Sequence, residues 1–269
     1  MTPPPSDPTL SPVVQEDGGK MSFLDHLIDL RKRLVYSAIA IALGAGVGVS
    51  ISTKVLAFLS GPMQAALRKQ HLDDSLIYTS PTGAINIIIT LGIYIGVVLA
   101  SPVVLYQVWL FIAPGLYKHE RKAVATFVFS SLFLFLAGIT FGYRIMLPYV
   151  LNYLIGFQGP FRPLISINEY LDFVLIVLLG LGLIFELPVL IFFLALFGIV
   201  TPKFLWSNMR YAILIIAVIA AIVTPTPDAT TMLVFMAPMI GLYFLGIGVA
   251  AVVFRQKKKN AALGLEGRR

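Results

Sequence analysis

Residues 170–197 read YLDFVLIVLLGLGLIFELPVLIFFLALF, a run that is apolar almost throughout. As a helix it would extend about 40 Å at about 1.5 Å per residue, which is enough to cross a hydrocarbon layer about 30 Å thick. Helices of soluble cores are shorter and keep a polar face. The run therefore predicts a transmembrane helix, and with it an integral membrane protein.

Five more apolar runs bring the predicted number of transmembrane helices to six. They lie at residues 34–52, 82–111, 123–150, 211–224 and 232–254. The second has about 30 residues, so it must tilt, bend at Pro102 or project from the bilayer, whereas the fifth has only about 14. Helices of such unequal length predict an all-α bundle with a cupped shape.

The composition supports an integral membrane protein and excludes several other classes of protein. Hydrophobic residues make up 58% of the chain and charged residues 12%. The net charge of +7 would suit a nucleic-acid partner, but the cations cluster at the ends of apolar runs, where they act as topology signals. The chain has no cysteine, only scattered histidines, no G-x-S-x-G elbow and no phosphate-binding glycine loop. We therefore predict no enzyme activity, no metal, no cofactor and no nucleic-acid partner.

The distribution of cations predicts the orientation. When alternate loops are assigned to opposite sides of the membrane, 15 of the 20 Lys and Arg residues fall on one side. Cytoplasmic loops carry the excess of positive charge, so both termini are predicted to be cytoplasmic. The five cations left for the membrane and the other side are Lys54, Arg68, Lys69, Arg144 and Arg162.

The chain divides into three predicted segments. Residues 1–20 are rich in Pro, Ser and acids and should form a disordered cytoplasmic tail. No apolar run precedes Leu34, so a cleaved signal peptide is not expected. Residues 21–254 form the six-helix membrane domain, and residues 255–269 form a basic cytoplasmic tail.

The connection between the first two apolar runs, residues 53–81, is predicted to be a long outer loop. Its apolar start predicts a short interfacial helix that breaks at Gly61-Pro62. Three G-x-x-x-G pairs would let helices approach closely, and ordinary packing is the favoured interpretation. They are Gly44/Gly48, Gly92/Gly96 and Gly138/Gly142.

Two surface segments combine a carboxylate with cations. The first reads SFLDHLIDLRKRL at residues 22–34, where Ser22 and Asp25 have the form of a capping box and Asp29 can pair with Lys32 or Arg33. The second reads WLFIAPGLYKHER at residues 109–121 and contains Glu120. Exposed ion pairs contribute only about 0 to 1 kcal/mol to stability. A carboxylate beside apolar side chains could instead bind the guanidinium of an amphipathic ligand.

Glu186 is a different case, because it lies near the middle of the fourth apolar run. A carboxylate at that depth costs at least about 2.5 kcal/mol, so it should face a cavity or the bundle interior. Pro188 cannot donate to the carbonyl of Ile184 and leaves that acceptor free nearby. Candidate polar neighbours are Asn86, Thr90, Gln107 and Thr140.

Three segments closely resemble the TatC family, the multispanning receptor subunit of the twin-arginine protein translocase. They are HLIDLRKRL at 26–34, SPVVLYQVWLFIAPGLYKHER at 101–121 and FELPV at 185–189. The resemblance implies recognition of signal peptides with paired arginines and export of folded proteins driven by the proton-motive force. It also implies an oligomeric complex with TatA-like and TatB-like single-span subunits in the cell inner membrane.

The resemblance also implies roles for particular residues. The signal-binding site would contain Asp29, Phe111 and Glu120. Its frame would consist of Arg31, Arg33, Pro114, Leu116, Tyr117 and Arg121. The family commonly has Glu where this chain has Asp29, a side chain shorter by one methylene. Pro62 matches a proline of the first outer loop implicated in assembly, and Glu186 matches a buried glutamate in the concave face.

Two other classes of protein would also use deep polar residues. A proton- or ion-coupled secondary transporter could use Glu186, but such folds usually have inverted repeats and interrupted helices in corresponding halves. A membrane-embedded hydrolase would need a nucleophile with its base or paired acids, and Glu186 is the only clear deep acid.

Overall fold

The computed structural model describes residues 23–112, 121–156, 163–224 and 228–262, and these are almost entirely helical. The predicted tail of residues 1–20 and the loop 113–120 lie outside the described residues. The helices are α1 (Phe23–Lys69), α2 (Gly83–Ile112), α3 (Arg121–Phe141), α4 (Leu147–Gly156), α5 (Ile167–Ile184), α6 (Leu187–Leu196), α7 (Pro202–Ser207), α8 (Met209–Val223) and α9 (Ala229–Ala262). A π-helical turn, Gly142–Met146, joins α3 directly to α4.

Five helical stretches are long and apolar enough to cross a membrane. They are Leu27–Lys69, Gly83–Phe111, Phe127–Gly156, Ile167–Leu196 and Ala229–Gln256. The remaining apolar run forms α8, which has only 15 residues. The prediction of an all-helical membrane protein is confirmed, and so is the prediction that this run is short.

The prediction of a helix break at Gly61-Pro62 is wrong. α1 passes through Pro62 without interruption and ends at Lys69, so the connection to α2 begins only at Gln70. A proline inside a helix usually costs about 3 kcal/mol or more. Here the helix face around it is buried, because Leu59, Met63, Ala66 and Leu67 are at most 6% exposed and belong to the main apolar core.

Glycines set the closest helix contacts, as the sequence predicted. Gly44 of α1 faces Gly96 of α2, and Gly48 faces Gly92, so the two helices are antiparallel. A Cβ atom added to Gly48 would lie 2.5 Å from the carbonyl oxygen of Gly92. The third pair packs α3 on α5, where a Cβ atom on Gly138 would lie 2.6 Å from the Leu181 oxygen. Backbone therefore touches backbone at both interfaces.

α5 lies at the centre of the bundle. Its Val174, Val177 and Leu181 are completely buried, and the helix contacts α1, α2, α3 and α8. Outward-facing apolar side chains such as Leu43 and Phe129 are highly exposed. An exposed apolar surface of this extent suits contact with lipid.

Two connections meet at the end of the bundle that is distant from the start of α1. Ile77 and Ser166 form an isolated parallel bridge, in which the Ile77 N–H donates to the Ile165 carbonyl at 3.1 Å. Arg68, near the end of α1, pairs with Asp74 at 2.5 Å. We call the end of α1 together with residues 70–82 and 163–168 the distal cap.

Candidate functional site

The fourth apolar run is broken at Glu186. α5 ends at Ile184, α6 begins at Leu187, and Phe185 and Glu186 form the turn between them. The Glu186 N–H donates to the Leu183 carbonyl at 3.1 Å, three residues back instead of four. Pro188 stands in the first turn of α6, where its missing N–H removes no helical hydrogen bond. The proline therefore starts a new helix and leaves the carboxylate at the break.

The Glu186 carboxyl is enclosed by groups from three parts of the chain. Both of its oxygens are buried, and within the described residues neither has a well-aligned hydrogen bond. The hydroxyl of Ser131, on α3, approaches the carboxyl without making such a bond. Ser131 is completely buried, and its oxygen accepts a hydrogen bond from Trp109 Nε1 of α2 at 2.9 Å. Because that bond leaves the Ser131 proton available, the hydroxyl can donate to the carboxyl.

An apolar cavity of about 410 Å³ adjoins this carboxyl. Glu186 and Ser101 are the polar residues of its wall, and the cavity lies between α1, α2, α3 and the turn at Glu186. Glu186 therefore lies in the wall of a cavity that is mostly apolar, and its role there stays a prediction. Apolar lining residues include Ile41, Val104, Val108, Trp109 and Phe135.

Two of the polar neighbours suggested by the sequence lie elsewhere. The Thr140 hydroxyl donates to the Leu136 carbonyl of its own helix at 2.7 Å, and Thr90 lines a small pocket with Asn168 and Asp172. The sequence analysis missed Ser131. A serine in the middle of an apolar run is itself a polar group at depth, and that signal was available.

At the start of α1, Asp29 forms the ion pair that its spacing predicted. Its Oδ2 accepts from Arg33 Nε at 2.6 Å, and the two side chains are only 24% and 19% exposed. Lys32 instead lies over the Tyr36 ring, 6.0 Å from its centroid. Arg31 is exposed.

The other predicted surface residues are only partly described. Phe111 is half-buried in the last turn of α2, and Arg121 is the first residue of α3. Pro114, Leu116, Tyr117 and Glu120 lie outside the described residues. If the antiparallel register that pairs Gly44 with Gly96 continues to the ends of the two helices, Asp29 of α1 and Phe111 of α2 lie opposite each other.

Pro62 lies far from these surface residues. It is inside α1 and not in a loop, so the expected outer-loop position is corrected. The described ranges contain no group of three or more His, Asp or Glu side chains that could hold a metal ion.

Known proteins resemble this chain over most of its length. The family model described as Sec-independent protein translocase protein (TatC) matches residues 25–238. The TatC protein of Koribacter versatilis is 47% identical over 268 residues, which cover 97% of this chain and 99% of that protein. TatCy of Bacillus subtilis is 35% identical over 245 residues, which cover 90% and 94% of the two chains.

The fold agrees with that of a solved relative. A crystal structure of the twin-arginine translocase receptor TatC matches with a TM-score of 0.76 at 35% identity, covering 85% of this chain and 99% of that one. Sequence identity over nearly the whole length and a shared arrangement of helices lead to the same assignment. The chain belongs to the TatC family of Sec-independent protein translocase proteins.

Proposed function

We propose that the start of α1 and the loop after α2 bind the paired arginines of export signal peptides. The solved relative is described as a twin-arginine translocase receptor, and this chain shares 35% of its sequence over most of its length. Membership in a translocase family disfavours both the secondary transporter and the membrane-embedded hydrolase.

The observation that carries the proposal is the Asp29–Arg33 pair. A half-buried carboxylate there already accepts a guanidinium N–H at 2.6 Å. A signal-peptide arginine offers the same group and can make two parallel hydrogen bonds to one carboxylate. The incoming arginine would displace Arg33 from Asp29, so one cation would replace another at the carboxylate.

The second half of the proposed site is the end of α2 and the loop that follows it. If the register of the glycine contacts continues to the helix ends, Phe111 would lie level with Asp29 and would contact the apolar part of the signal peptide. Glu120 would bind the second arginine. Arg31, Pro114, Leu116, Tyr117 and Arg121 would frame the site.

We assign Glu186 to a later step of transport. It lies at a helix break beside an apolar cavity, where its carboxyl can receive one hydrogen bond from Ser131. A polar group presented at that depth could bind a polar group of a neighbouring membrane helix. TatA-like and TatB-like single-span subunits are the proposed partners, and the proton-motive force is the energy source.

For topology, we propose six membrane crossings with both termini in the cytoplasm, and a location in the cell inner membrane. The cation distribution supports this orientation. α8 would then be the short fifth crossing, at about 22 Å, and the bilayer would thin around it.

Photo-cross-linking in native membranes tests the receptor assignment. A photoreactive residue in place of Phe111 should cross-link a precursor that carries paired arginines, and a precursor with paired glutamines should cross-link much less. The same reactive residue in place of Ile93, exposed on the middle of α2, serves as the control. Equal cross-linking of both precursors at position 111 would contradict the proposal.

A further inference from the structure

Pro62 removes a hydrogen-bond donor from the interior of α1. In a regular helix the N–H of residue 62 would bond to the carbonyl of Phe58, but proline has no N–H and its ring pushes against that carbonyl. Polar backbone groups without a partner are strongly disfavoured in a bilayer. α1 nevertheless continues for about two turns beyond Pro62. Another group must therefore satisfy the Phe58 carbonyl.

Tyr143 supplies the missing donor. Its hydroxyl donates to the Phe58 carbonyl at 2.8 Å, and its ring stacks on the Phe58 ring with 4.3 Å between centroids. Tyr143 lies on the π-helical turn Gly142–Met146. Such turns shift the side chains of a helix out of their regular spacing and are frequent at functional positions.

The next carbonyl of α1 is held in the same way. Tyr170, in the first turn of α5, donates from its buried hydroxyl to the Leu59 carbonyl at 2.6 Å. The carbonyls of Phe58 and Leu59, which are consecutive in α1, thus accept from tyrosines of two different elements. These bonds join α1 to the π-helical turn and to α5 at one level.

The part of α1 beyond this level belongs to the distal cap. Met63, Ala66 and Leu67 are buried there, and Arg68 pairs with Asp74 in the connection that leads to the Ile77–Ser166 bridge. The direction in which α1 leaves Pro62 therefore sets where the distal cap lies on the bundle.

We propose that Tyr143 is a positioning residue: it replaces the donor missing at Pro62 and so fixes the distal cap on the bundle. Pro62 then acts through Tyr143 inside the chain, and not as a contact for another subunit. The proposal concerns the opposite end of the molecule from the proposed signal-binding site.

A double-mutant cycle in the full-length protein tests this assignment. Tyr143→Phe keeps the stacked ring and removes the donor, so the protein should lose part of its export activity. Pro62→Ala returns an N–H to the Phe58 carbonyl. In that background Tyr143→Phe should have no further effect. Tyr149→Phe, which changes an exposed tyrosine on α4, is the matched control and should leave export unchanged.

Spin labels give a second readout that does not depend on signal binding. The chain has no cysteine, so cysteines introduced at the exposed residues Lys69, in the distal cap, and Ile176, on the middle of α5, carry the only labels. Tyr143→Phe should broaden the distance distribution between them, and adding Pro62→Ala should restore it. Two results would overturn the proposal: unchanged distances in Tyr143→Phe, or a loss of export by Tyr143→Phe that is the same with and without Pro62→Ala. The spin-label distances do not depend on signal binding, so they would be the same even if the receptor assignment proved wrong.

Discussion

At the scale of single residues, the burial of Glu186 is the feature that is hardest to explain by a contribution to the stability of the fold. Its carboxyl lies in the wall of a mostly apolar cavity and is approached by the hydroxyl of Ser131. Trp109 fixes that hydroxyl through its indole N–H and stacks on Phe193 with 4.1 Å between ring centroids. A carboxyl buried at that depth with no well-aligned hydrogen bond from the described residues is costly, and such groups are typical of functional positions.

Substitutions at Glu186 should separate transport from recognition. Glu186→Gln keeps a hydrogen-bonding group and should leave signal binding nearly intact while it slows export. Glu186→Leu should slow export further. Ser131→Ala removes the approaching hydroxyl and should also slow export.

The measurement compares signal-peptide affinity and precursor export in the same membranes for these variants and the unmodified protein. If export is unchanged in all variants, Glu186 is only structural. If affinity falls as much as export, Glu186 belongs to the recognition site instead.

At the scale of helices, the contact between α1 and α2 depends on glycine. Gly48→Ala would place a methyl group 2.5 Å from the Gly92 carbonyl oxygen, and the backbone there cannot move aside as a flexible side chain could. We expect a loss of roughly 1 to 3 kcal/mol of stability, as for overpacking of a core. Unfolding of the purified protein in detergent measures this loss.

Gly46→Ala is the matched control on the same helix, since a Cβ atom there has no neighbour within 4 Å. It should be neutral or slightly stabilising, because alanine favours the helix more than glycine does. Equal destabilisation by both substitutions would contradict close packing as the reason for Gly48, because a Cβ atom at Gly46 meets no such contact.

The helices themselves could largely be predicted from the sequence, because long apolar runs and their spacing are local signals. The path of α1 through Pro62 could not be predicted from the sequence. A proline predicts a break unless another group satisfies the freed carbonyl, and that group, Tyr143, lies 85 residues from the Phe58 carbonyl in the chain. Ser131 could be recognised in the sequence as a polar residue within an apolar run, but its approach to Glu186 could not, since Ser131 and the turn at Glu186 meet only in the folded bundle.

The candidate recognition site was accessible to sequence analysis in part. The Asp29–Arg33 pair follows from a spacing of four residues on a helix. The level of Asp29 relative to Phe111 depends on the register of two helices that are far apart in sequence, which only the glycine contacts reveal. Family resemblance, and not any local pattern, suggested that these residues act together.

At the scale of the whole molecule, the central structural prediction is the number of crossings. A reporter that is active only outside the cytoplasm should work when fused at Asp73 or Asp228 and stay silent at Lys118, Pro202 or Lys258. The Asp228 fusion is decisive, because it follows the short helix α8. A silent Asp228 fusion would mean that α8 does not cross the membrane.

In the proposed function, carboxylates at one end of the α1–α2 pair recognise the guanidinium groups of the signal peptide. A binding titration on the purified protein, with an Arg-Arg signal peptide and a Gln-Gln control, tests this most directly. Glu120→Gln keeps the shape and removes the charge, so binding of the Arg-Arg peptide should weaken by roughly 1.5 to 3 kcal/mol, the usual worth of a charge-assisted hydrogen bond. Binding of the Gln-Gln peptide should change much less, and an equal loss for both peptides would contradict guanidinium recognition.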